Sequence, residues 1–232
     1  MNIITYKNED IKQEITLNED TRIDIINATG NLTINTSKNI KIFKYIKNSN
    51  IEVTYNLENN LTIDIFSINT SIKNEVNLNK EYINIDYYYS CINEEDNSYK
   101  IDINHNKGNT TSKVTSHGLN MKDKKLDFIV NGIINKDSKK CVCNQDSIII
   151  VLDSNNCKIE PNLIVNNNDV EANHSAYIGY FDKKKIFYLN SRGINTMDAK
   201  KLLAKAFLTS NRDTNEEINE LITTNINSYW RW

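Results

Sequence analysis

From about residue 14 to about residue 190, aliphatic and polar residues alternate in short bursts: Leu32-Thr33-Ile34, Ile40-Lys41-Ile42, Ile51-Glu52-Val53, Leu61-Thr62-Ile63-Asp64-Ile65, Ile83-Asn84-Ile85 and Ile101-Asp102-Ile103. A period of two puts the aliphatics on one face of an extended chain and the polar groups on the other, so each burst predicts a half-buried strand. Turns rich in Asn, Asp, Ser and Lys separate them, among them Lys47-Asn48-Ser49-Asn50 and Glu58-Asn59-Asn60. Strands recurring about every 8–12 residues fit a sandwich, a barrel or a stacked β-helix. No strict internal repeat chooses among the three. The abundant asparagines suit a β-helix, because Asn tolerates left-handed corners and hydrogen-bonds along stacked turns.

A chain of 232 residues buries one sizeable core, and one Pro with six Gly excludes a collagen-like or linker-rich protein. The formal net charge of −2 offers no nucleic-acid surface. No apolar run approaches the roughly 20 residues that span a bilayer, and MNIITYKNEDIKQEI lacks the basic and apolar segments of a secretory leader. A cytoplasmic location is expected. The cysteines, Cys91, Cys141, Cys143 and Cys157, form no C-x-x-C pair, which argues against a structural zinc site.

The run Ser147-Ile148-Ile149-Ile150-Val151-Leu152 is apolar on both sides, as expected of a strand buried on both faces, in the core or beneath a partner. Two helices are predicted to close the chain. The first follows Gly193, with Asn195 as N-cap and Asp198 three residues on, and carries Ala199, Leu202, Leu203, Ala206 and Phe207 on one face. The second starts at Thr214 with Glu217 at its third position and aligns Ile218, Leu221, Ile222 and Ile226. The terminal Tyr229-Trp230-Arg231-Trp232 is an unusual cluster of aromatics. The domains read as 1–192, a β core, and 193–232, a helical segment. Cys141 and Cys143 form C-x-C, which on a strand puts both sulfurs on one face about 7 Å apart. Asp146, Asp153, Asp169 and Glu171 would line up as carboxylates on neighbouring coils of a β-helical carbohydrate-binding or carbohydrate-active protein. The basic and aromatic groove residues such a protein needs are missing beside them.

One stretch carries a longer pattern: Pro161, Leu163, Asp169-Val170, His174, Ala176 and Gly179, then an expected aromatic strand at Phe187-Tyr188, then Ser191-Arg192-Gly193-Ile194 and the first helix. This order resembles the C-terminal core of the SufB/SufD family, the scaffold subunits of the SUF iron–sulfur assembly machinery. The resemblance implies a mainly β fold, a right-handed parallel β-helix with a C-terminal α-helical tail. It implies that the tail docks a SufC-type ATPase, through Ala199, Leu202, Leu203, Ala206 and Phe207. It also implies that His174 lies near a scaffold–scaffold interface where an iron–sulfur cluster is built. A neutral imidazole suits iron, and thiolate from an opposing subunit would complete a mixed site. Cys143 and Cys141 are the further candidates for cluster ligation.

The chain departs from a SufB-like pattern at two places. Gln145 stands where such chains carry a cysteine before the run that begins here as Asp146-Ser147-Ile148, and Ser175 stands where they carry a glutamate after the histidine. Both departures lean toward SufD. Strand pattern sets in by about residue 14, so the N-terminal helical domain of the family is expected to be missing. There is no G-x-x-x-x-G-K-[ST] phosphate loop, so ATP hydrolysis is expected from another subunit. The expected role is therefore a non-catalytic, SufD-like scaffold that pairs with a SufB-like chain and the ATPase. The alternatives are a compact scaffold pairing with its own copy, and a β-helical carbohydrate protein. Deleting residues 196–232 is expected to abolish ATPase binding and leave the β-helix folded.

Overall fold

The computed structural model describes residues 1–153, 156–210 and 216–229. Among these residues fifteen strands follow one another: β1 (Asn2–Lys7), β2 (Asp10–Leu17), β3 (Thr21–Ile26), β4 (Thr29–Thr36), β5 (Ile40–Lys47), β6 (Asn50–Leu57), β7 (Leu61–Ile68), β8 (Ser71–Leu78), β9 (Asn84–Asn93), β10 (Asn97–His105), β11 (Thr111–Asn120), β12 (Leu126–Ile134), β13 (Cys141–Val151), β14 (Cys157–Val165) and β15 (Val170–Gly179). Three helices follow among the described residues: α1 (Lys183–Ser191), α2 (Thr196–Thr209) and α3 (Glu216–Tyr229). The odd-numbered strands pair in parallel into an eight-stranded sheet and the even-numbered strands into a seven-stranded one. Each coil thus lays one strand on either side, which is a parallel β-helix rather than a sandwich or barrel. Strand begins at Asn2, earlier than the alternation suggests. β1 belongs to an end coil, most of whose residues are exposed, so little selects an apolar face there.

Asparagine makes the corners. Asn8, Asn27, Asn48 and Asn69 take φ of 56, 51, 49 and 48°, the left-handed region in which asparagine is enriched, as the chain passes from one sheet to the other. Their amides stack coil on coil: Asn27 donates to the carbonyl of Lys47, and Asn48 to that of Ile68. On the outside of the seven-stranded sheet, Asn56 donates to Asn35 (3.0 Å), Asn77 to Asn56 (3.3 Å) and Asn104 to Asn77 (2.9 Å), a ladder that satisfies polar side chains along the stack.

The inward residues of both sheets form one continuous core that includes Ile23, Ile42, Ile63, Val53 and Val76. Tyr89 and Tyr99 stack within it at 3.8 Å, with Phe128 edge-on to both. The outer face of the eight-stranded sheet is apolar too, where the helices cover it. Phe66, Ile68, Ile92, Leu119 and Ile150 pack there against Ala204, Leu208, Ile218, Ile222 and Ile226. This explains Ser147–Leu152 without a partner: Ile149 and Val151 fill the β-helix, while Ile148, Ile150 and Leu152 join the helices.

One expectation is corrected. Residues Phe187 and Tyr188 lie in α1 rather than in a strand, because Asp182 caps it by accepting from the Lys184 amide (2.8 Å), and no residue of the helix is buried to favour a pleat. The helical segment therefore begins at Lys183, ahead of the boundary at 193. α2 and α3 shield the apolar outer face just described, so removing residues 196–232 is expected to expose it. The predicted cap of α2 is present: Asn195 accepts from the Asp198 amide (2.9 Å) and donates to its carboxylate (2.7 Å). Thr214, the expected start of α3, and Trp230-Arg231-Trp232 lie outside the described residues.

Candidate functional site at the end of the β-helix

The β-helix ends on β14 and β15, each pairing on one side only, with β12 and β13 respectively. Pro161 is accommodated in β14 because an edge strand has a row of amides without ladder partners. Such an edge is also open to strand addition by another chain. Ile164, Val165 and Tyr177, all on these two strands, are exposed.

His174 sits in the middle of β15, in register with Gln145 of β13. Its parity matches Val170 and Ala172, which face the interior beside Cys141 and Cys143. Since no further coil lies beyond β15 in its sheet, His174 is exposed although it stands on an inward position. It lines an open groove with Lys113, Thr115, Asn144, Asp146 and Ser175. The Ser175 hydroxyl donates to Asp146, and Asn173 donates to Asn144 (3.1 Å), so the neighbours of His174 on β15 are tied to β13. Next to it, Gln145 reaches across the interior to donate to the Asn162 carbonyl of β14 (3.3 Å), tying β13 to that edge strand.

Cys141 and Cys143 do share a face, as the C-x-C spacing requires, but that face is the closed interior. Both are fully buried in a small cluster with Ile134. Gly132 makes room for Cys143, since a Cβ there would fall 2.5 Å from its sulfur. Burial pushes the Cys143 thiol up, disfavouring the thiolate that binds metal. Cys141 lies 3.3 Å from the Thr110 hydroxyl, which in turn meets Nδ1 of His105 (2.7 Å), while Nε2 of that ring meets Ser112 (2.9 Å). Burial lowers the His105 pKa to about 4, so the ring is neutral. The pattern of alternation did not single out this interior network, although His105 shares the parity of Ile101 and Ile103. Among the described residues, no three of His, Cys, Asp and Glu converge as a metal-binding group. His174 is therefore the exposed donor of the predicted set; of the carboxylates, Asp146 stands opposite Ser175 and Glu171 opposite Val142, four positions apart along the paired strands. Maleimide labelling of the native chain is expected to spare Cys91, Cys141 and Cys143 and to modify the half-buried Cys157. Rapid loss of all four thiols would show that the interior opens.

The helical residues separate. Ala199 is buried, and Phe207 stacks on His117 of β11 (4.6 Å) while its carbonyl accepts from Nδ1 of that ring (2.9 Å). Leu202 (49% exposed) and Ala206 face outward, and Leu203 lines a groove with Lys184, Lys185, Tyr188 and Leu189 between α1 and α2. Phe187, 74% exposed, extends this apolar surface. Reading α1 as a strand hid it; Asp182 followed by Ile186 and Leu189 is the helical signal that was there to find. Arg192 caps α1 and lies over the Tyr188 ring (5.4 Å).

The sequence model of the family described as SUF system FeS cluster assembly, SufBD core domain, matches residues 58–207. The chain is similar to the iron–sulfur cluster assembly protein SufD of Escherichia coli (strain K12), 44% identical over 48 residues, which is 21% of this chain and 11% of that protein. It is also similar to the iron–sulfur cluster assembly protein SufD of Bacillus subtilis (strain 168), 34% identical over 98 residues, 41% of this chain and 22% of that protein. The matches thus span at most 22% of either relative's length. No helix among the described residues is long and apolar enough to cross a membrane.

Proposed function

The chain belongs to the SufBD core family, and on that premise we propose that it is a SufD-like, non-catalytic scaffold subunit of cytoplasmic SUF iron–sulfur cluster assembly. The observation that carries this reading is the position of His174, an exposed imidazole on the edge strand that ends the β-helix. There a second scaffold subunit, SufB-like, adds its own strand to β15 and brings thiolate ligands to the same point. The cluster is cargo at that junction, and this chain gives it one neutral nitrogen donor. Cys141 and Cys143 stay in the core and do not ligate it. Gln145 and Ser175, the two departures from a SufB-like pattern, support the SufD-like assignment over a self-pairing scaffold.

The outward groove between α1 and α2 takes the SufC-type ATPase. Tyr188, Leu189 and Leu203 supply its apolar floor, with Lys184 and Lys185 at its rim, and Phe187 and Leu202 are exposed on the same two helices. His117 fastens α2 to β11, so a movement imposed on α2 is passed directly to the sheet that bears His174.

The test is anaerobic reconstitution with the cognate ATPase and SufB-like chain. His174→Ala is expected to retain the complex and lose at least about tenfold in bound iron and sulfide, the order of effect of removing a metal ligand or its support. Undiminished cluster yield would sink the ligand role. Association with the ATPase but formation of a stable cluster-bearing homodimer without any SufB-like chain would favour the self-pairing scaffold.

A further inference from the structure

Far from His174, in the third coil, Lys44 points into the β-helix. It stacks between Ile23 and Ile65 on the neighbouring strands, is 1% exposed, and its ammonium lies 4.6 Å from the centre of the Tyr55 ring. Among the described residues Nζ has no hydrogen-bond partner, and neither has the hydroxyl of Tyr55, itself fully buried. On the next coil, fully buried Asn74 donates through Nδ2 to the Tyr87 hydroxyl (2.6 Å), and its Oδ1 is left without a partner. Exchanging the two ends of the Asn74 amide would only transfer the deficit to Nδ2. Asn74 stands opposite Val53, two residues before Tyr55 on the neighbouring strand and at the same inward parity, which places Lys44, Tyr55 and Asn74 in one region of the core.

We propose that the β-helix interior contains a built water site, in which at least one ordered water is held between Lys44 Nζ, the Tyr55 hydroxyl and Asn74 Oδ1. The chemistry selects water. As an ammonium Lys44 offers donors only, Asn74 Oδ1 accepts only, and Tyr55 can do either. A water accepts from the amine and the phenol and donates to the amide oxygen, meeting two to four partners as buried waters do. A halide would accept from Lys44 and Tyr55 but would face the Asn74 oxygen, so it fits the set less well. Burial already lowers the Lys44 pKa to about 7, and a bridging water serves either charge state of the amine, donating to it when it is neutral. Three polar side chains from β5, β6 and β8 are thereby joined across two coils and both sheets.

A crystal structure of the chain at water-resolving resolution tests this. Density about 2.7–3.2 Å from at least two of the three atoms is the expected result. A dry interior would overturn the proposal, and so would an anomalous peak beside Lys44 in crystals grown from bromide, which would assign an anion instead. In solution, ¹⁷O relaxation dispersion of the whole chain is expected to count fewer long-lived waters in Asn74→Leu than in the parent. Lys44→Met is the second variant should Asn74→Leu fail to fold. An unchanged count in a folded variant of either kind rejects the site.

Discussion

Replacing Ile222 with alanine is expected to cost about 2–5 kcal/mol of unfolding free energy. Ile222 is fully buried on α3, in the cluster where Ile218, Ile226, Ala204 and Leu208 meet Phe66, Ile68, Ile92, Leu119 and Ile150 of the sheet. Truncation removes three heavy atoms from a contact whose opposite wall is a rigid β-helix, so the space left cannot collapse. Alanine is a good helix former, so the loss is one of packing rather than of helix propensity. Leu221, only partly buried beside the same cluster, is expected to lose less on the same change. The Arg22–Glu217 ion pair at 2.9 Å, which also ties α3 to the sheet, is half-exposed on the glutamate side and worth little by comparison. Urea unfolding at neutral pH measures the difference. A cost below about 0.5 kcal/mol, the range of ordinary surface substitutions, would mean that α3 is not seated on the sheet in solution. The result bears on function because a seated α3 makes the helical segment part of the scaffold's core, so a partner on α1 and α2 would grip a rigid body.

The strands were legible because the aliphatics of Ile40-Lys41-Ile42 or Ile101-Asp102-Ile103 answer only to which face they occupy. The arrangement of those strands was not. Stacked asparagines lie 21 residues apart at Asn35 and Asn56 but 29 apart at Asn144 and Asn173, so coils of unequal length blur the repeat that would betray a solenoid. It was the resemblance around Pro161–Gly179 that selected the β-helix and His174. The C-x-C geometry was right about a shared face and silent about which face, since period two does not distinguish inside from outside when both are partly apolar. α1 was missed because Phe187 and Tyr188 favour strands by propensity, while an exposed, capped, short helix obeys local hydrogen bonding instead. Lys44, by contrast, stands in plain view at the parity of Ile42 and Ile46. Alternation alone places it inside, and only the habit of reading lysine as a surface residue hides it.

That lysine carries the largest expected pH effect. Burial lowers its pKa from the ordinary 10.5 to about 7, because the interior takes the ammonium out of water. Between those values the unfolded chain holds a proton on Lys44 that the folded chain does not. Stability therefore rises with pH across the window from about 7 to about 10.5, by at most about 1.4 kcal/mol per pH unit. Below pH 7 both states are protonated and this contribution is flat; above 10.5 neither is. Lys44→Met is unbranched and one heavy atom shorter, removes the titration, and leaves an apolar group beside the Tyr55 ring. The variant is expected to gain stability over the parent at pH 7, on the order of 4 kcal/mol more than any difference measured at pH 10.5. Attraction of the ammonium to the Tyr55 ring, at 4.6 Å, offsets part of this and is worth about 1–2 kcal/mol when desolvated. Lys38→Met, at an exposed site, is expected to leave the pH profile parallel to the parent's. Urea midpoints measured at pH 7, 8.5 and 10 decide the matter. Parallel profiles for parent and Lys44→Met would show that the buried amine keeps its proton through this window, whether held there by the ring or by bound solvent.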